Sequence, residues 1–424
     1  MSTKKLNFID LFAGAGGLSE GFIRAGYKPI AHVEMDKAAC YTLQTRAAYN
    51  YLKSNKQYDE YVKYLRGGID RASLYALIPQ QAKDSVINMA LSDENNPAIF
   101  KQIDKLVGKQ KVDLIIGGPP CQAYSLVGRA RSENGMVTDP RNHLYLQYAK
   151  FLKKYNPKMF VFENVLGLRS AGKGEYFEKM KQKFGKVGYE VKDFILNAND
   201  FGVLQSRRRI IIIGYRKGLD ISVPELKPIH TKQYEVRSIF SDLPELKAGE
   251  GEDKGGLYAN ETNEYLDNAH IRNGIDVLTQ HVSRPHTEQD KEIYRIAVTQ
   301  LKTGARLDYT TLPERLKTHK NQHSFFDRFK VVNEKAFYTQ TVVAHIAKDG
   351  HYYIHPDIKQ NRSISVREAA RLQSFPDDFY FEGVKGNANR TAAFKQIGNA
   401  VPPLMAEKIA ASLKYLLLNG YTHF

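Results

Sequence analysis

Three stretches of this sequence gather residue types that can do chemistry. In Gly117-Gly118-Pro119-Pro120-Cys121-Gln122-Ala123-Tyr124-Ser125 a thiol follows two glycines and two prolines. Proline fixes φ and glycine admits close backbone approach, so the loop is stiff and shaped. A cysteine displayed there is a candidate nucleophile, whereas Cys40, in the helix-like run Lys37 to Leu43, reads as a small buried apolar residue. In Asp10-Leu11-Phe12-Ala13-Gly14-Ala15-Gly16-Gly17 the glycines let a ligand approach the backbone, and Glu34 could hold ribose hydroxyls. Ser19 replaces the third glycine of the dinucleotide fingerprint, so this loop does not choose between a nicotinamide cofactor and S-adenosylmethionine. Glu163-Asn164-Val165 and Gln205-Ser206-Arg207-Arg208-Arg209 add a carboxylate, amides and guanidinium groups.

The elements that must position these residues can be read from apolar runs. Leu6 to Leu11 is strand-like, Leu18 to Ala25 helix-like and Tyr27 to Val33 strand-like, a βαβ opening closed by Glu34. Val112 to Ile116, Met159 to Phe162 and Arg209 to Ile213 are short continuous apolar runs, as in strands of a parallel sheet buried on both faces. The expected fold is α/β, a doubly wound, mostly parallel sheet of Rossmann-like type. Ligands bind such sheets outside the carboxyl ends of the strands, which would gather the three stretches on one edge. Residues 49–85, rich in Tyr, Lys and Gln, read as a helical insertion. After Gly214 the βα alternation stops and a second, smaller domain is expected. Ser365-Val366-Arg367-Glu368 then opens a helix as a capping box.

A chain of 424 residues suggests two domains. Lys plus Arg outnumber Asp plus Glu by 62 to 46, and the formal charge of +16 favours a polyanionic partner such as nucleic acid. Within the second domain, residues 242–267 are acidic, while Lys291 to Lys335 is basic and interleaved with His319, His323, Phe325 and Phe326. Two cysteines rule out a disulfide scaffold and a cysteine-built zinc site and fit a reducing compartment. No apolar run approaches membrane-spanning length. The expectation is a cytoplasmic monomer with no metal and no membrane contact.

Together Asp10-Leu11-Phe12-Ala13-Gly14-x-Gly16-Gly17, Pro119-Pro120-Cys121-Gln122, Glu163-Asn164-Val165, Gln205-Ser206-Arg207-Arg208-Arg209, Arg367-Glu368-Ala369-Ala370-Arg371-Leu372-Gln373 and Gln396-Ile397-Gly398-Asn399 resemble, in order, the motifs of DNA (cytosine-5) methyltransferases. The resemblance runs from residue 6 to about 410, with 215–340 matching the target-recognition region in place rather than in sequence. It implies a catalytic domain of residues 1–217 plus 362–424, carrying the insertion, and a target-recognition domain of residues 218–361. It implies methyl transfer from S-adenosylmethionine to carbon 5 of a cytosine rotated out of double-stranded DNA, in the manner of a bacterial restriction-modification enzyme.

In that reading Cys121 is the nucleophile, Glu163 serves ring N3, Arg209 holds the cytosine carbonyl oxygen, and Arg207 orients the loop and backbone. The cofactor contacts are Asp10, Phe12, Gly14, Gly16, Gly17, Leu18, Glu34, Met35, Pro120 and Asn399. Gln122, Ser125, Arg306, Arg315 and Lys317 are the expected DNA contacts. Two departures stand out. Met35 occupies a position where an aromatic often follows the ribose acid, and the interval from Glu34 to Cys121 is long, leaving Ser92 and Asp93 as candidates for the adenine contact on a third strand. An RNA-directed relative shares the architecture, but its Pro-Phe-Thr loop ending is Gln122-Ala123-Tyr124-Ser125 here. A non-catalytic relative would be expected to lack the cysteine or glutamate, and an NAD-dependent oxidoreductase would share only the first loop.

Overall fold

The apolar runs become a seven-stranded sheet in the computed structural model, which describes residues 5–120, 143–219, 223–228, 232–318, 325–385 and 389–419. Cys121, Gln122 and Ser125 lie outside the described residues. Strand β1 (Asn7–Leu11) leads through helix α1 (Gly17–Arg24) to β2 (Lys28–Glu34), the βαβ opening expected from sequence. Helix α2 (Lys37–Ser54) is capped by Asp36, whose carboxylate accepts from the N–H groups of Ala38 and Ala39. Helices α3 (Tyr58–Leu65), α4 (Arg71–Ala76) and α5 (Gln80–Asp84) precede a three-residue strand, β3 (Val86–Asn88). Then follow α6 (Asn96–Val107), β4 (Leu114–Gly117), α7 (Leu144–Tyr155), β5 (Met159–Asn164), α8 (Glu175–Lys186), β6 (Tyr189–Asn197) and β7 (Arg208–Arg216).

The sheet order is β3-β2-β1-β4-β5-β7-β6. Strands β1 to β5 are parallel, but β7 is antiparallel to both β5 and β6, so the parallel reading of Arg209 to Ile213 is corrected. The connection from β6 to β7, residues 198–207, holds a four-residue 3-10 turn (Ala198–Phe201) too short to cross the sheet, and only antiparallel neighbours can be joined without such a crossover. The reversal matters for function. It brings the start of β7 to the carboxyl end of β5, with Glu163 opposite Ile211 and Asn164 opposite Ile210. A parallel β7 would have put its leading arginines on the far edge.

One face of the sheet is covered by an apolar cluster that joins Phe8, Leu18 and Phe22 to Ile364, Met405, Ile409 and Leu413. Most of the last group comes from α12 (Pro403–Asn419), which packs on α1. The same cluster takes in Val236, Ile239, Leu266 and Ile271, so this stretch shares the core of the sheet. A separate cluster centres on Ile293, Tyr294, Ala297 and Val298 of α9 (Glu288–Lys302), with Leu307, Leu316, Phe329 and Ile354. Helices α2 to α4 build a third around Tyr49, Tyr61, Tyr64 and Leu74, completed by Ile275, Val277 and Tyr380.

Helix α10 (Val366–Leu372) ties these regions together. Its capping box is formed as the sequence suggests: Glu368 N donates to Ser365 Oγ at 3.1 Å and Ser365 N donates to Glu368 Oε2 at 2.6 Å. Every residue of the helix is buried. Burial would strip the charge from Arg371, but Asp377 and Asp242 on either side hold its pKa well above the usual arginine value. Arg367 donates to the carbonyls of Thr279, Pro376 and Phe379.

Replacing Arg371 by Met keeps the volume and leaves two buried carboxylates short of their counter-charge. Removing one partner of a buried pair costs about 3–5 kcal/mol. Urea unfolding of Arg371→Met at neutral pH should therefore show a loss of that size, and a loss within error of zero would deny the network its structural role.

Candidate active site

The site is built where β1, β2, β4, β5 and β7 end on one edge. After β1 the chain turns through Phe12 and Gly14, both at positive φ, and Gly14 has nothing within 4 Å of where a Cβ would stand. Its N–H donates to Glu34 Oε2 at 2.8 Å. The other carboxylate oxygen, Oε1, accepts from the N–H groups of Met35 and Asp36, each at 2.8 Å. The end of β2 is thus latched to the first loop, with open space above Gly14.

Gly16 and Gly17 face the protein instead. A Cβ on Gly17 would meet Val401 O at 2.3 Å, and one on Gly16 would meet Leu43 Cδ2 at 2.8 Å. Leu18 is buried in the core, Met35 is exposed, and Asn399 is exposed at the end of α11 (Arg390–Asn399). Gly398 before it packs on the backbone of Val343 and Ala344, where a side chain could not fit. Pro120 is exposed at the limit of the described loop. The third strand is too short to carry a period-two pattern, and its closing residue is Asn88, whose Nδ2 donates to the carbonyls of Glu34 and Met35. The expectation of Ser92 or Asp93 on that strand is corrected: both lie beyond it, and Asp93 pairs with Lys150.

Beneath the loop lies Asp10, 1% exposed, with neither carboxylate oxygen hydrogen-bonded to any of the described residues. Burial, and then the charge of Glu34, push its pKa well above the ordinary carboxyl range. A buried acid without a partner is costly unless something cationic arrives, so the donor set fits a cofactor carrying positive charge. Cys40, by contrast, is buried with its thiol donating to Glu34 O at 3.3 Å, and burial pushes it up to about 12, as suits an inert apolar residue.

On the other side of β4, Glu163 Oε1 pairs with Arg209 Nε at 2.8 Å, both side chains being largely buried. Asn164 Nδ2 donates to Pro119 O at 3.2 Å and fastens the Pro-Pro loop to β5. Arg207 does not join that pair. Its guanidinium is buried and donates to Val342 O at 2.7 Å and Gly398 O at 3.3 Å, bracing the edge from behind. Gln205 accepts from Val342 N and donates to Leu372 O and to Gln373 Oε1, and Gln373 donates to Ile397 O. These two amides were not singled out in the sequence, although both stand inside motifs that were quoted. Of the expected DNA contacts, Arg306 is exposed, whereas Arg315 grips Glu292 with two nitrogens. Lys317 is only 10% exposed, held by Thr310 O and Glu314.

A sheet of this order with a glycine-rich first loop and an acid closing β2 defines the Rossmann-like methyltransferase class. Residues 6–69 and 82–415 match the family of C-5 cytosine-specific DNA methylases, and the chain belongs to that family. It is a DNA (cytosine-5) methyltransferase. The unmatched internal stretch, residues 70–81, holds helix α4. The chain is 40% identical to the Type II methyltransferase M.Bpa9945I of Bacillus paralicheniformis, over 97% of this chain and 99% of that one. It is 32% identical to the Type II methyltransferase M1.HphI of Haemophilus parahaemolyticus, over 96% and 86%. Among solved structures, an Escherichia coli prophage protein bearing the name of a DNA modification methyltransferase superposes with a TM-score of 0.64 at 23% identity, covering 98% of this chain and all of that one, a likeness of fold.

Two outcomes follow from the geometry. A Cβ on Gly118 would stand 2.6 Å from Glu163 Oε2, the free end of a flexible side chain. Gly118→Ala should fold with near-normal thermal stability yet lose methylation about 100-fold or more as the carboxylate is displaced, within the span of acid–base contributions; normal turnover would show that Glu163 can sit elsewhere. Asp10 favours its protonated form in the fold, so it costs stability as pH rises above the ordinary carboxyl range, at most about 1.4 kcal/mol per pH unit until its raised pKa is passed. Asp10→Asn should unfold in more urea than the wild type without ligand, by a margin that grows with pH and then levels off. A margin independent of pH would mean Asp10 does not titrate as placed.

Proposed function

We propose that this chain transfers the methyl group of S-adenosylmethionine to carbon 5 of a cytosine rotated out of duplex DNA, as the modification enzyme of a Type II restriction-modification system acting as a monomer in a bacterial cytoplasm. The observation that carries the chemistry is the Glu163 and Arg209 pair at the β5 end, beside the loop that leads to Cys121. Full-length similarity to Type II methyltransferases supports the biological setting.

When bound, S-adenosylmethionine supplies an electrophilic methyl group on a sulfonium. Asp10 would offer counter-charge to its cationic groups, Glu34 would take the ribose hydroxyls, and Phe12, Gly14 and Asn399 would border it. Carbon 5 of cytosine is a weak nucleophile, and adding the Cys121 thiolate at carbon 6 makes the ring an enamine. Electron density then moves to N3, where Glu163 hydrogen-bonds or donates a proton, and Arg209 holds the carbonyl oxygen while keeping Glu163 in place. After transfer, water would take the carbon 5 proton as the carbon–sulfur bond breaks and returns the thiolate, and any proton given to N3 would go back to Glu163.

The cluster around α9 is the recognition unit in this reading, with Arg306 facing the DNA and the acidic 242–267 stretch away from it. With Arg315 and Lys317 tied internally, reversing the charge at Arg306 should weaken DNA binding more than reversing it at either of those two.

Cys121→Ser should abolish methylation while binding to S-adenosylmethionine and duplex DNA persists, because a hydroxyl without an activating base is a far weaker nucleophile. Bisulfite sequencing of DNA from cells expressing the wild type gives the site. On that site, 5-fluorocytosine should trap a covalent adduct, and peptide mapping should find it on Cys121; attachment at Cys40, or no adduct, would refute the assignment.

A further inference from the structure

Phe337 and Tyr338 are 50% and 51% exposed on the segment that runs beside the catalytic edge. The backbone is fixed on both sides of them. Ala336 O accepts from Val236 N at 2.8 Å, and Thr339 pairs with Gln205, donating to Leu204 O at 3.0 Å and accepting from Ser206 N at 2.8 Å. Three residues further, Val342 O receives Arg207, and two residues beyond Arg207 stands Arg209 on Glu163. The two rings are therefore anchored next to the reacting edge yet turned toward solvent.

Large apolar groups left exposed together mark interaction surfaces. What this surface would accept is indicated by its surroundings: Lys335, exposed two residues before Phe337, puts a cation beside the rings in the chain, and Arg208, also exposed, follows Arg207, which donates to Val342 O further along the same segment. Cations beside aromatic faces suit a polyanion whose bases have π-faces of their own. The major groove alone is about 12 Å wide, so a duplex that delivers one base to Glu163 also covers the segments adjoining it.

We propose that Phe337 and Tyr338 stack on DNA bases next to the rotated cytosine and so help hold the opened duplex. This rests on the duplex-DNA reading above. Stacking carries no charge, which separates it from phosphate contacts: it sets affinity without changing the salt dependence.

The test uses full-length protein, S-adenosylhomocysteine and a fluorescent 30-base-pair duplex carrying the site mapped by bisulfite sequencing, with anisotropy read across a salt series. Phe337→Ala/Tyr338→Ala should bind about 10-fold or more weakly, with the wild-type slope of log affinity against log salt and wild-type melting temperature. Phe337→Tyr/Tyr338→Phe, which keeps both rings, should restore binding. Unchanged affinity of the alanine variant, a reduced salt slope, or failure of the ring-keeping variant to restore binding would each overturn the stacking role. If wild-type protein itself fails to bind the duplex while methylating RNA, the underlying reading falls instead.

Discussion

Arg371, with no exposed surface, lies between Asp242 and Asp377, and this buried pairing is the constraint on which the rest of the molecule depends. One carboxylate comes from the stretch after the sheet, the other from the turn after α10, and the guanidinium joins them, with Arg272 also on Asp242 and the Tyr258 hydroxyl also on Asp377. Once α10 is seated, Gln373 reaches Gln205 and Ile397 O, so the start of β7 and the approach to Asn399 are fixed by the same helix. A buried charge network thus sets the spacing between the start of β7 and the end of α11.

The sequence made the site more legible than the frame around it. Asp10, Gly14, Glu34, Glu163 and Arg209 could be named because strand ends in an α/β sheet are where chemistry gathers, and a short apolar run entering a polar loop is a strong local signal. The capping box at Ser365 was readable for the same reason: its partners are three residues apart. What could not be read was long-range. The reversed direction of β7 is decided by the short connection before it and by pairing with β5 and β6, and a fully buried strand has the same composition either way. The short β3 had no room for a pattern.

Side-chain engagement was equally hidden. Arg315 and Lys317 read as free cations in a basic stretch, yet Glu292 and Glu314 claim them at close range. Arg207 and Arg209 look equivalent in the arginine run, but one braces the backbone at Val342 and Gly398 while the other holds Glu163, a difference their local sequence does not signal. At Gly16 and Gly17 a Cβ would strike the protein itself, whereas at Gly14 it would meet none of the described residues.

Helix α12 lies along α1, and the Tyr27 hydroxyl after α1 donates to Ala410 O, 383 residues further along the chain. During synthesis on the ribosome, β1, α1 and β2 therefore emerge long before their covering face exists. Contacts so distant in sequence are slow to form and leave apolar surface exposed meanwhile. The contacts between α12 and α1 can form only after residues 403–417 have been made, so the two ends of the chain complete each other last.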